Sequence, residues 1–216
     1  DVSILNANIE IATAQIGSLT ASDANIETLK GDVVNMGGVT AQRTTFKVAQ
    51  AWQMNAGQFD LTAGNQLILA DHTQWQDLVL RDGSIVSTIP YVDGLAQFTL
   101  KTDVLTIDEG ATINLDGKGR LSSSEFSQVG GSHGGYGGFV AESGKRPQPL
   151  MGSQYAPDKF GVGGIGKTSA YKTYGGGSLY IETNELSLNG SINANGDDAQ
   201  KYSKPSDYAG GAGGSV

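Results

Sequence analysis

The sequence predicts an all-β chain built from stacked coils of strand, and three observations carry that prediction. The first is a pattern that occurs twice. Leu105-Thr106-Ile107, a turn at Glu109-Gly110, Thr112-Ile113-Asn114-Leu115 and a turn at Asp116-Gly117 lead into a glycine-rich loop. Leu186-Ser187-Leu188, Asn189-Gly190, Ser191-Ile192-Asn193-Ala194 and Asn195-Gly196 repeat that order ahead of Gly210-Gly211-Ala212-Gly213-Gly214. Thr112 and Ser191 are 79 positions apart, and Gly130 and Gly210 are 80 apart; long self-similarity marks a repeat architecture. The second observation is alternation of apolar and polar residues between Thr45 and Leu100, broken by turn signals. The third is composition: 32 glycines are about twice the usual share, yet 38% of residues are hydrophobic, enough for a core.

Taken in order, residues 1–44 form an N-terminal repeat segment. Ala7-Asn8-Ile9-Glu10 returns 17 positions later as Ala24-Asn25-Ile26-Glu27, with Ala14-Gln15-Ile16-Gly17-Ser18-Leu19 between them. Ala, Glu and Gln suit a helix. The dominance of Ile, the interruptions at Gly17 and Gly31, and the crowding of Ser and Thr favour short strands instead. Residues 45–216 form the glycine-rich repeat proper. Thr45-Phe46-Lys47-Val48, Gln58-Phe59-Asp60-Leu61, Leu67-Ile68-Leu69 and Leu78-Val79-Leu80 read as strands, separated by turns at Ala63-Gly64-Asn65, Asp82-Gly83 and Asp93-Gly94. Gly64 to Gly83 is 19 positions and Gly83 to Gly110 is 27, coil lengths that suit a solenoid whose turns bury their faces on one another. Trp52 and Trp75 read as core or cap residues, with sugar stacking as the other reading.

Residues 121–177 are a long excursion without regular strands, and a loop of that length is functional or disordered. Tyr136, Phe139, Tyr155, Phe160, Tyr171 and Tyr174 are spread through it, and the expectation is that these rings pack it against the coils. Strand returns at Gly177 to Leu188, with Leu179, Ile181, Leu186 and Leu188 as core candidates.

The net charge of −8 is dispersed along the chain, which argues against nucleic acid and anionic membrane surfaces as partners. Cysteine is absent, so there is no disulfide frame and no thiolate chemistry. No apolar run approaches a membrane span, so no membrane insertion is expected. The glycine pattern at Gly214-Ser215-Val216 matches Gly177-Ser178-Leu179, and the chain reads as a segment of a longer protein whose neighbouring repeats are partners.

Residues Gly110 to Gly119, Gly130 to Gly138 and Gly175 to Gly196 resemble the glycine-rich parallel β-helix repeats of large extracellular and cell-surface, adhesin-like proteins. That resemblance covers about half the chain. It implies a right-handed parallel β-helix, an extracellular or cell-surface location and a structural or adhesive role, with no catalytic residues carried over. The N-terminal repeats more loosely resemble phage tail-fibre segments, which leaves a trimeric or capping section open.

Several motifs offer chemistry. Gly161-Val162-Gly163-Gly164-Ile165-Gly166-Lys167-Thr168 fits the phosphate-loop formula, but no buried strand precedes it and no amphipathic helix follows, so it reads as coincidence in a glycine-rich chain. His133 sits among glycines as a candidate ligand or proton carrier, with packing across the loop as the plainer reading. Asp103, Asp108, Asp116, Asp197 and Asp198 lie at turns, where carboxylates cap amides; a calcium site there stays open and no other cofactor is expected. Lys118 and Arg120 beside Asp116 could mimic a polysaccharide-cleaving face, and Asn189-Gly190-Ser191 is a formal glycosylation sequon. The leading expectation is a non-enzymatic shaft or adhesive module of a surface or fibre protein, contacting a cell-surface or glycan ligand through His133, Tyr136, Tyr155, Tyr171 and Tyr174. The competing expectation is a carbohydrate-binding or carbohydrate-cleaving β-helix.

Overall fold

The computed structural model describes residues 2–11, 14–22, 24–28, 33–42, 45–47, 53–61, 66–69, 72–91, 97–123, 129–138, 149–166, 172–199 and 209–216. Fourteen strands are formed among these residues. They are β1 Val2–Leu5, β2 Asn8–Ile11, β3 Ala14–Ser22, β4 Asn25–Thr28, β5 Val33–Gln42, β6 Thr45–Lys47 and β7 Gln53–Leu61. The rest are β8 Gln66–Leu69, β9 His72–Leu80, β10 Ile85–Thr88, β11 Phe98–Ile107, β12 Thr112–Asn114, β13 Leu179–Leu188 and β14 Ser191–Asn193. Residues 1–35 therefore contribute strands, as the Ile-rich spacing predicts. Trp52, Phe139 and Tyr171 lie outside the described residues.

The odd-numbered strands form one seven-stranded sheet in the order β1-β3-β5-β7-β9-β11-β13, and the even-numbered strands form a second, β2 to β14. Each pair whose register is resolved runs parallel. Successive strands of the chain therefore alternate between the two sheets. The sequence period becomes the pairing register. Val2 pairs with Leu19 and Asn8 with Asn25, both 17 positions on. Gln66 pairs with Ile85, 19 on, and Ile85 with Thr112, 27 on. Thr112 Oγ1 and Ser191 Oγ, 79 apart, hydrogen-bond at 3.1 Å.

Two compact units divide the chain: Asp1–Ile89 with Phe98–Asn114 and Ile181–Ile192, and Pro90–Gln97 with Leu115–Tyr180 and Asn193–Val216. In the first unit, parallel register stacks like residues into rows. Leu78 pairs with Leu105 and Leu80 with Ile107 in one sheet; Leu67, Val86 and Ile113 line up in the other. All seven are fully buried, each stabilising by roughly 1.5–3 kcal/mol. The corners also stack. Ser84 N–H donates to Arg81 O and Ala111 N–H to Asp108 O, closing the same turn twice, and Gly83 N–H donates to Gly110 O at 3.2 Å. Gly83 and Gly110 both have positive φ, 73° and 80°, which glycine adopts without penalty.

The rows run out at β13. Asn189 N–H donates to Ile107 O as Asp108 N–H does to Leu80 O, so Leu188 takes the place after Ile107. Yet Leu188 is 48% exposed and Leu186 is 49% exposed. The alternation of the sequence places both in the core. Their β13 is the last strand of its sheet, so the lining row has a neighbour on one side only. Leu179 alone of the four candidates is fully buried, and Ile181 is half-buried.

The second unit is held largely outside regular strands. Gly119 N–H donates to Gly175 O, Arg120 N–H to Gly161 O, Gly161 N–H to Gly176 O, Gly176 N–H to Ala212 O and Ala212 N–H to Val162 O, at 2.7–3.0 Å. Extended glycine segments thus lie side by side as a backbone ladder. A Cβ on Gly163 would collide with the Thr173 carbonyl. Absence of side chains is what permits that approach. The rings contribute less than expected. Phe160 is buried, with Tyr91 edge-on at 5.0 Å between ring centroids, but Tyr136, Tyr155 and Tyr174 are exposed. Among the described residues of the excursion, backbone bonds between glycine segments make the ladder, and the three described tyrosines face solvent.

Candidate ligand-binding loops

Two turns of the second unit carry the candidate side chains, residues 132–138 and 149–158, and both are rooted in the glycine ladder. Gly131 N–H donates to Gly210 O and Val162 N–H to Ser132 O. Buried Ser132 donates its Oγ hydrogen to Pro149 O at 2.5 Å, tying the root of one turn to the start of the other. Further out, Gly134 N–H donates to Met151 O at 2.9 Å. Gly134 and Gly152 both have positive φ, 65° and 68°. Beside them, Tyr155 N–H donates to Ser153 Oγ and Asp158 N–H to Ala156 O, so the second turn is internally braced.

What the turns present is aromatic and apolar. Tyr136 is 63% exposed, Tyr155 is 89% exposed and Leu150 is exposed between them in sequence. A single exposed apolar side chain is ordinary. The two exposed phenol rings, on two turns joined by hydrogen bonds, are each of a kind that can stack on and hydrogen-bond a polyhydroxylated ligand.

His133 belongs to the root of this surface. Its ring edge lies against Gly152, where a Cβ would stand 3.1 Å from Cδ2 and Nε2, and Lys159 Cβ borders the same place. Nε2 is buried with no hydrogen-bond partner. Desolvation lowers the pKa below the ordinary imidazole value, opposed by a hydrogen bond to the Lys159 backbone and by the Asp158 carboxylate. The ring is thus held neutral as packing material. Tyr174 stands apart from these turns: it bridges Leu121 antiparallel, and its N–H donates to Asp197 Oδ2 at 2.8 Å. Tyr171 lies outside the described residues. Leu150 and the Ser132–Pro149 tie escaped sequence reading, because each depends on a partner turn that no local signal announces.

The described parts of the remaining motifs join the backbone network; Lys167 and Thr168 of the phosphate-loop match lie outside the described residues. Within the phosphate-loop look-alike, N–H groups of Gly161, Val162, Gly163 and Ile165 donate to Gly176, Ser132, Arg120 and Val129 carbonyls, and Gly164 N–H donates to Thr173 Oγ1. These amides are engaged inward, so they offer no cradle to a phosphate. Asp116 Oδ1 accepts from Asn195 N–H at 2.6 Å, and Asp108 pairs with Arg81 at 3.3 Å. Among the described residues, no group of three or more His, Asp or Glu side chains converges as a metal site, and no helix is long and apolar enough to cross a membrane. No protein-family model matches the chain, and no curated protein or solved structure does either.

Proposed function

We propose that this chain is a non-enzymatic structural and adhesive module of an extracellular surface or fibre protein. On this reading an odd strand and the even strand after it make one coil of a right-handed parallel β-helix, and the glycine-rich excursion presents a glycan-binding tip. The observation that carries it is the exposure of Tyr136 and Tyr155 on turns whose roots are fixed by buried backbone bonds. Rigid placement of flat side chains cuts the entropy lost on binding. The acidic, cysteine-free composition fits a glycan better than a nucleic acid or a thiol-dependent substrate.

Immobilised glycan panels and saturation-transfer NMR test the adhesive part. Retention of a defined oligosaccharide is expected, falling at least about tenfold (1.4 kcal/mol) in the Tyr136→Ala/Tyr155→Ala double variant with an unchanged β circular dichroism spectrum. Equal retention by that variant, or none by the parent protein, sinks the tip reading. Release of new reducing ends would move the protein to the carbohydrate-cleaving class.

A further inference from the structure

Glycine directly after aspartate or asparagine makes a reactive step, because its backbone nitrogen reaches the preceding side-chain carbonyl carbon with no Cβ in the way. Five such steps occur in the chain: Asp82-Gly83, Asp93-Gly94, Asp116-Gly117, Asn189-Gly190 and Asn195-Gly196. All but Asp93-Gly94 lie in the described residues. In three of these four the glycine nitrogen is engaged. Gly83 N–H donates to Gly110 O at 3.2 Å, Gly117 N–H to Asn195 O at 3.0 Å and Gly190 N–H to Ile107 O at 3.0 Å. Gly196 N–H, by contrast, donates to no carbonyl among the described residues. Asn189 and Asn195 are both exposed, so solvent access does not separate the two asparagines. The bond on the attacking nitrogen does.

We infer that Asn195 is a site of spontaneous deamidation, with Asn189 as its protected counterpart. Base removes the Gly196 amide proton, and that nitrogen attacks Asn195 Cγ. As the new C–N bond forms, the bond from Cγ to the side-chain nitrogen breaks, and ammonia leaves after taking a proton from water. Water then opens the succinimide at either carbonyl, leaving aspartate or isoaspartate at position 195. At Asn189 the same attack must first break the Gly190–Ile107 bond, so the fold opposes it. At Asn195 no such bond has to open. The product falls within the glycine ladder of the second unit. Asn195 N–H donates to Asp116 Oδ1 at 2.6 Å, so the reaction adds a carboxylate to a residue already bonded to one, and like charges repel. Isoaspartate also takes the Asn195 carbonyl, the acceptor of Gly117 N–H, out of the main chain. It inserts an extra carbon ahead of Gly196 and Asp197, whose N–H donates to Tyr174 O at 2.9 Å. The inference is independent of the adhesive reading.

Fragment-resolved mass spectrometry of the full chain, aged at mildly alkaline pH both folded and unfolded in urea, is the test. Unfolding frees both glycine nitrogens, so the urea sample gives the intrinsic ratio of the two rates. On folding, the ratio of Asn195 to Asn189 deamidation is expected to rise roughly tenfold, about what opening one hydrogen bond is worth. A ratio that is unchanged or reversed, or a folded chain in which Asn195 does not react at all, overturns the inference. The effect on the ladder has its own readout. Ageing is expected to accelerate hydrogen exchange at Gly117 in the parent protein. In Asn195→Gln, where the ring that must close is larger and forms more slowly, the Gly117 rate should stay at its fresh value. Acceleration in the aged variant as well breaks the link between this reaction and the ladder.

Discussion

At the residue scale, His133 shows how one side chain couples the tip to pH. Burial lowers its pKa, while the Lys159 backbone and the Asp158 carboxylate pull the other way. Once the two turns separate, the imidazole titrates near its ordinary value of about 6.5. The folded ring resists its proton until a lower pH. Packing is therefore at full strength above about pH 6.5 and weakens as pH falls through the window below it. Hydrogen exchange at Gly134, whose amide bonds Met151, is expected to accelerate across that window beyond the intrinsic trend. In His133→Gln the extra acceleration should vanish; if it persists, another group controls the turns. A histidine between glycines is legible in the sequence as unusual. Its seat against Gly152, 19 positions on, is not, because long-range backbone bonding sets it.

Elements divide into those whose logic is periodic and those whose logic is contact. Strand positions are legible because apolar alternation and turn spacing are local; the intervals 17, 19 and 27 reappear as pairing register and 79 as the Thr112–Ser191 hydrogen bond. Exposure of Leu186 and Leu188 was not legible, since a leucine in a lining row looks the same whether or not a tier covers it. The glycine segments are legible as unusual, and close packing, backbone hydrogen bonds and rings are all expected to hold them; among the described residues the backbone bonds and Phe160 do so, while Tyr136, Tyr155 and Tyr174 are exposed. Substitution separates the two accounts. In Gly163→Ala the new methyl meets the Thr173 backbone, whereas at Gly135 nothing lies within 4 Å. Overpacking of this kind costs about 1–3 kcal/mol or more. Gly163→Ala should therefore lower the denaturation midpoint of the second unit, and Gly135→Ala should leave it in place. Equal midpoints would return the cohesion to the aromatic side chains.

For the whole molecule, the net charge of −8 sets up a long-range repulsion between chains that salt screens over about 10 Å at 0.1 M. Light scattering over a salt series is expected to show that repulsion weaken as ionic strength rises at fixed protein concentration; a repulsion unchanged by salt would mean that net charge does not set it. A last consequence belongs to the corner lengths. The step from β10 to β12 is 27 positions, and the step from β12 to β14 is 79, yet Thr112 and Ser191 still meet within hydrogen-bonding distance. The rungs meet at bonding distance although one step carries far more chain than the other. For a protein engineer that makes the β12–β13 connection a grafting port, where a foreign domain could ride on a scaffold that already tolerates its own cargo.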